Sequence, residues 1–468
     1  MAQVPILSGV YADATSQLRS ALPRNRVPVP TASGISNGYL GPGVGIDTFS
    51  TGPGIDRGGI NWNGVMYRVM GAHLVRVAVD GSSTVLGVVG DNGNPVSLDY
   101  SFDRLSIASG EDLFYWNGAT LTQVTDPDLG VVLDQMFIGG YFMTTDGKNL
   151  IVTDLDDPTS VNPLKYGSSE VDPDLIVAIK RVRNEAMALN RYTIEVFQNV
   201  GGDGFPFQRI DGATIQKGCI GTHACCLFAE SVAFLGSGRN EAPSVYLALS
   251  GNAQKLATRE IDTILAGYSE AQLADAVVES RTYKAHQHLL IHLPDQTLVF
   301  DAAATAAVGA PIWFTLDSGI VDKVPFRGRF HCFAYGEWFV GDTIKPQVGK
   351  IVEDKSTHYG DVVGWSFETP VVYSEGTGAV LHELELVSLP GAAAFGKDPV
   401  IWTSYSLDGQ KWSQERSIPA GKAGETLKRL CWRRQGFFRN WRVQRFRGTS
   451  DAHIAVLRLE MQLEKLNG

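Results

Sequence analysis

The stretch INWNGVMYRVMGAHLVRVAVDG, residues 60–81, decides how this chain is read. Its two apolar runs, VMYRV (65–69) and HLVRVAV (73–79), are bracketed by Asn63-Gly64 and Asp80-Gly81. Asn-Gly and Asp-Gly supply the positive φ that tight hairpin loops demand, so the stretch reads as strands joined by hairpins. The same punctuation recurs at Asn117-Gly118, Asp146-Gly147 and Asp211-Gly212, near the β-rich runs STVLGVV, LFYW and YFMTT. The phrase Trp-Asn-Gly stands at 62–64 and again at 116–118, each time as a hairpin tip before an apolar strand. Hairpins over residues 51–365 predict a repeated sheet unit. At roughly 40–50 residues per unit, that makes a β-propeller of six or seven blades, with a stack of sandwiches as the alternative.

The flanks read differently. From residue 366 the strands lengthen (VLHELELVSL, VIWTSYSLDG, IAVLRLEMQL), which predicts a separate β-sandwich platform domain over 366–468. Residues 1–50 are rich in Pro, Gly and Ser and bury little surface alone. They are expected to form an extended N-terminal arm packing on the platform. One helical interruption is predicted at 258–280: Ile261, Ile264 and Leu265 share a face, Gly267 stops the helix, and Ser269 with Gln272 caps a second. The fold class expected is therefore all-β.

Composition narrows the function. The 468 residues carry a net charge of −10, unevenly spread. Residues 401–468 hold 13 Lys/Arg against 6 Asp/Glu, giving +7, and the rest of the chain is −17. An acidic body repels nucleic acid, which argues against a protein built to grip DNA. Five scattered cysteines imply no disulfide framework and a reducing compartment. The first residues show no signal-peptide pattern, and no apolar run is long enough for a membrane span.

Candidate chemistry is thin. Cys219, His223, Cys225 and Cys226 could ligate zinc, but they crowd into eight residues with no second knuckle and read as core. His286, His288 and His292 share strand parity, yet no carboxylate is expected in register to support a metal. Asp154-Leu-Asp-Asp157 lacks the spaced Gly and distal Glu of a calcium loop and reads as a turn. Ser406-Leu-Asp408-Gly-Gln-Lys-Trp412 is one residue short of a sialidase Asp-box and reads as a structural hairpin. No nucleophile elbow, phosphate loop or catalytic triad is visible, so no enzyme activity and no cofactor are expected.

The loudest segment is KRLCWRRQGFFRNWRVQRFRG, residues 428–448. Eight of its residues are Lys or Arg and five are Trp or Phe. Gly436 and Asn440 break it into two pieces, so it reads as a hairpin with one partly wet face rather than a continuous basic groove. Beside an acidic body, Arg433, Arg434, Arg439, Arg442, Arg445 and Arg447 are expected at a subunit or adaptor interface. Phosphate contact is the lesser reading.

Several phrases, in one linear order, resemble the tail hub or nozzle family of short-tailed bacteriophages, the packaged DNA stabilisation proteins. They are GPGIDRG (52–58), MYRVMGAHLVRV (66–77), IGGYFMTTDG (138–147), DPDLIVAI (172–179), FPFQRIDGATIQKGCIG (205–221), APSVYLALSGNAQKLATREID (242–262), HLLIHLPDQTLVFDA (288–302) and the Arg-rich run. The first 45 residues and 366–425 match less well. The resemblance implies a homohexameric ring in the virion tail, below the portal and its adaptor ring. It also implies a plug or needle beneath, and fibres or spikes at the sides. Packaged DNA would be retained and ejected through the lumen without specific binding, and subunits would assemble in the host bacterial cytoplasm. The rival reading is a carbohydrate-binding or glycan-degrading propeller, which predicts a funnel lined by aromatics and carboxylates.

Overall fold

The computed structural model describes residues 2–4, 22–32, 36–373, 377–393 and 395–466. Seven antiparallel sheets follow one another along the chain, six of four strands and one of five. Blade 1 comprises Asp56–Trp62, Val65–Met70, His73–Val77 and Ser83–Val88. Blades 2 to 6 occupy residues 97–123, 134–168, 176–209, 218–255 and 277–316. The first strand of each blade lies against the first strand of the next, and the last returns to blade 1. The sheets therefore close into a seven-bladed propeller.

Blade 7 is completed from the other end of the chain. Its strands Gly328–Ala334, Glu337–Asp342 and Gln347–Val352 are joined by Gly45–Thr51, in a register running from Val352↔Gly45 to Gln347↔Thr51. The arm expected over 1–50 is thus divided. Arg26–Pro30 and Gly38–Pro42 extend a platform sheet, whereas Gly45–Thr51 is the outer strand of the propeller.

Each space between blades holds its own apolar cluster. Met66, Val75 and Val77 of blade 1, for example, meet Phe339 and Val348 of blade 7. Middle strands such as Val65–Met70 are buried on both faces, which is why they read as continuous apolar runs rather than alternating ones. Nearer the axis, carboxylates add directed bonds from blade to blade. Asp99 accepts the Phe137 N–H at 2.7 Å, Asp134 accepts that of Ile179 at 2.9 Å, and Glu279 accepts that of His331 at 2.7 Å.

The turn chemistry works at most predicted places. Asn63 (φ 52°) and Gly64 (φ 76°) form the two-residue loop between the first two strands of blade 1. Asp211-Gly212 differs: it turns the chain after the outer strand of blade 4, on the way to blade 5. The two Trp-Asn-Gly phrases are not equivalent either. One joins the inner pair of strands in blade 1, the other the outer pair in blade 2.

Helix α1 (Arg259–Leu265) and helix α2 (Glu270–Ala274) occupy the predicted interruption, with the Ser269–Gln272 capping box formed. Helix α3 (Ala302–Val308) was not expected; Asp301 caps it and Gly309 ends it in the left-handed region. Among the described residues no helix is long and apolar enough to cross a membrane.

The C-terminal region is a two-sheet sandwich. One sheet orders Arg26–Pro30, Gly38–Pro42, Ala455–Lys465, Ala379–Leu389 and Leu430–Phe438. The other orders Gly364–Glu368, Trp441–Thr449, Val400–Ser406 and Arg416–Pro419. Their core gathers Trp432, Phe446, Phe367, Leu384 and Leu459. The segment 428–448 is therefore not a hairpin. Its two strands lie in opposite sheets, and the chain crosses between them at Arg439-Asn440. Trp432 and Phe446 both point into the core, so the strands face each other instead of pairing.

Two residues stitch the platform to the propeller. Arg24 forms a bidentate pair with Asp317 at 2.5 and 2.6 Å, and its backbone N–H donates to Ser366 O at 2.8 Å. Asn25 donates to Asp317 O at 3.0 Å and Gly364 O at 2.7 Å. The platform thus sits beside blades 6 and 7.

Candidate assembly surface

The six arginines singled out by sequence take three different places. Arg433 and Arg434 stand exposed on the edge strand Leu430–Phe438, with Arg433 3.4 Å from Glu383. Arg434 has φ 57°, a local kink whose carbonyl accepts from Arg416 at 3.0 Å. That kink and the two charges interrupt an otherwise open sheet edge. Arg439 is exposed at the crossing between the sheets.

Arg442 is a correction. Expected at a subunit or adaptor interface, it is 1% exposed inside the platform. Its guanidinium donates to Gln435 O at 2.6 Å and Gln444 Oε1 at 3.0 Å and lies 3.7 Å from the Tyr405 ring centre. Burial pushes its pKa down to about 10. Arg442, Gln444 and Phe446 share the inward face of their strand, and aromatic stacking with hydrogen bonds to Gln435 and Gln444 lets a guanidinium follow phenylalanine inside.

Arg445 and Arg447 are half-buried and already engaged. Arg445 bonds Glu368 at 2.6 Å and lies 3.6 Å from the Trp412 ring centre. Arg447 holds Glu415 with both ends of its fork and sits 4.8 Å from the Trp402 ring centre. The alternation of charge and aromatic in the sequence is thus largely internal architecture of this sheet.

The histidine strand also needs correcting. Carboxylates do stand beside it, supplied by neighbouring strands. Asp301 lies 2.5 Å from His286 Nδ1 and 3.4 Å from His288 Nε2. Glu279 lies 2.5 Å from His292 Nε2 and 3.0 Å from His331 Nδ1. Burial opposes ionisation of Glu279, but the two imidazoles overcome it and hold its pKa well below the usual range. Sequence parity could not reveal partners that arrive from other strands. The Glu279–His292 pair is in direct hydrogen-bond contact, and buried Arg281 and half-buried Arg329 add positive charge nearby. The arrangement joins blade 6 to blade 7, and Glu279, His292 and His331 bring three potential ligand atoms within 4.8 Å of one another, as do His286, His288 and Asp301.

The remaining motifs are structural. Cys219 and Cys225 are buried in the core of blades 4 to 6, and Cys219 Sγ donates to Gly221 O at 3.2 Å. Asp157 closes its turn through the Thr159 N–H at 3.0 Å, and Asp408 takes the N–H groups of Gln410 and Lys411 at 2.9 and 2.7 Å. Where the blades converge, a cavity of about 390 Å³ is lined by residues including Asn94, Ser109, Glu111, His223, Asp275 and Arg329. Among its described lining residues there is no Phe, Tyr or Trp, the surface a sugar ring would stack on.

A seven-bladed propeller closed by an N-terminal strand and joined to a β-sandwich defines the class of protein. The chain belongs to the bacteriophage P22 Gp10 family: its β-propeller model matches residues 2–356 and its β-sandwich model matches residues 364–464. The tail hub protein gp10 of Salmonella phage P22 is 27% identical over 483 residues, covering 99% of both chains. Among solved structures, the WD40 propeller domain of Doa1 is 12% identical with a TM-score of 0.40, covering 66% of this chain and 97% of that one. The N-terminal domain of Nup159 is 9% identical with a TM-score of 0.39, covering 71% and 99%. Likeness at that level carries no argument about function.

Proposed function

We propose that this protein is the tail hub of a short-tailed phage, a structural part of the virion without catalytic activity. The observation that carries the reading is the family match along both domains, together with a tail hub relative aligned end to end. Copies of the chain form a ring, a homohexamer by family resemblance, below the portal and adaptor. The ring retains packaged DNA and then passes it outward.

Electrostatics supports a conduit. Fixed cations along a wall bind phosphates and release counterions, so DNA would pause there. The propeller and arm are net acidic and repel a duplex over roughly 8 Å of saline. The exposed Arg433, Arg434 and Arg439 of the basic platform are the contacts offered to a neighbouring subunit or to the adaptor ring. Electron microscopy of the purified protein mixed with portal–adaptor complexes tests this. Density at their distal end is expected, and consistent failure to bind there sinks the reading.

A further inference from the structure

Strands of blades 6 and 7 bring three ligand-type side chains to one point. Glu279 stands on Val277–Tyr283 and His292 on the adjacent His286–His292, both in blade 6, while His331 comes from Gly328–Ala334 of blade 7. Glu279 Oε1 lies 2.5 Å from His292 Nε2 and 3.0 Å from His331 Nδ1. Both imidazole side chains are fully shielded from solvent. His331 is the unusual member. Among the described residues neither of its ring nitrogens has an aligned hydrogen-bond partner, although Nδ1 is aimed at the carboxylate. Burying a polar group without such a partner is costly. A cation between the rings and the carboxylate supplies the missing partner for Nδ1.

The rest of the cluster is already arranged for coordination. Glu279 Oε2 accepts the His331 backbone N–H at 2.7 Å, which fixes the carboxylate and leaves Oε1 facing the two rings. The other nitrogen of His292, Nδ1, is 2.9 Å from the Thr297 hydroxyl. A hydroxyl accepts as readily as it donates, so with the proton on Nδ1 the Nε2 lone pair turns to the centre, as in metal-bound histidines. A tetrahedral ion with bonds of about 2.0–2.2 Å sets its ligands about 3.4 Å apart, so these atoms need to part by less than about 1 Å. The Glu279 side chain is 13% exposed, so solvent reaches the point and can complete the shell.

The neighbouring cluster is the contrast. His286, His288 and Asp301 are as close together, but Arg281 Nη2 lies 3.2 Å from His288 Nδ1. A guanidinium only donates, so that nitrogen accepts and the proton sits on Nε2, which faces Asp301 at 3.4 Å. His288 then has no lone pair left for an ion.

We propose that Glu279, His292 and His331 bind a divalent transition-metal ion of the zinc class, which ties blade 6 to blade 7. Two imidazoles and one carboxylate suit borderline ions such as zinc or cobalt and not magnesium, which takes oxygen ligands. The Arg281 and Arg329 guanidiniums oppose the cation and hold the affinity below that of a cage without them.

Untagged full-length protein, stripped with EDTA and then dialysed against zinc chloride, tests this. Elemental analysis is expected to find one zinc per chain. At a zinc concentration a hundredfold above the dissociation constant, the melting temperature should rise by about 3–6 °C, and magnesium chloride should leave it unchanged. His331→Gln and Glu279→Gln each lose the bound zinc and the rise, while His286→Gln in the neighbouring cluster keeps both. Every variant is compared with its own metal-free form, so a loss of intrinsic stability does not enter the comparison. Should a ligand variant fail to fold, cobalt chloride added to the unmodified chain decides. The intense visible absorption of a tetrahedral site supports the proposal, and the weak spectrum of hydrated cobalt refutes it. Unmodified protein that retains no zinc overturns the site, as does zinc retained undiminished by both ligand variants.

Discussion

Arg68 grips Asp56 with both ends of its fork, Nε to Oδ1 at 2.6 Å and Nη2 to Oδ2 at 2.5 Å, and neither side chain is exposed to solvent. Arg68 also donates to Phe330 O of blade 7 at 3.0 Å. The pair thus lies where the first blade meets the last, and it fastens the ring.

Removing one member leaves the other charge buried and alone. Arg68→Met is expected to destabilise the propeller by about 3–5 kcal/mol, and Asp56→Asn with Arg68→Met by clearly less. Urea denaturation of the single and double variants measures this. Equal losses would mean the pair has no special energetic role.

Space around the same pair is tight. A side chain at Gly341 of blade 7 would bring its Cβ to 2.1 Å from Asp56 Oδ2. Gly341→Ala is therefore expected to lower the melting temperature by displacing Asp56, although the substitution is small and apolar. The loss should shrink when Asp56 is already Ala.

Acid should weaken the fold through its buried histidines. Burial pushes the imidazoles of His223, His288 and His358 down to about 4, against about 6.5 in an unfolded chain. Between those values the unfolded chain binds more protons than the folded one, so stability is complete above about pH 6.5 and falls as pH drops toward 4. Each group contributes up to about 1.4 kcal/mol per pH unit across that window. Denaturation midpoints at several pH values between 7 and 4 check the sign. A flat profile would contradict the burial.

The arginines should divide by location. Arg433→Glu is expected to change stability by less than about 0.5 kcal/mol, as exposed substitutions do. Arg442→Glu should unfold the platform, because it puts an unpaired carboxylate against Tyr405 and the Gln435 carbonyl. Limited proteolysis of residues 364–464 distinguishes the two variants.

Much of the fold was legible because the turns announce it. Asn63-Gly64 needs positive φ twice in succession, and only a hairpin loop accommodates that cheaply. The blade count was not legible, since the strands of different blades share packing rather than wording. The paired Trp-Asn-Gly phrases show this, being the same turn used at two positions. The closing strand Gly45–Thr51 was hidden because its partner Gln347–Val352 lies some three hundred residues away.

The surface was half legible. Charge counting found the basic platform, but it treated six arginines as one patch. Burial of Arg442 and the carboxylates opposite Arg445 and Arg447 depend on which strands become neighbours, and composition does not carry that information. Glu279 and Asp301 escaped notice beside the histidines for the same reason.

The strand that latches blade 7, Gly45–Thr51, is made before the rest of the propeller and must wait for its partner, which ends at Val352. A chain halted anywhere before that point is an open horseshoe with unpaired edges, exposed to proteases. Topology thus acts as a length check, because only a chain translated through Val352 can close its circle of blades.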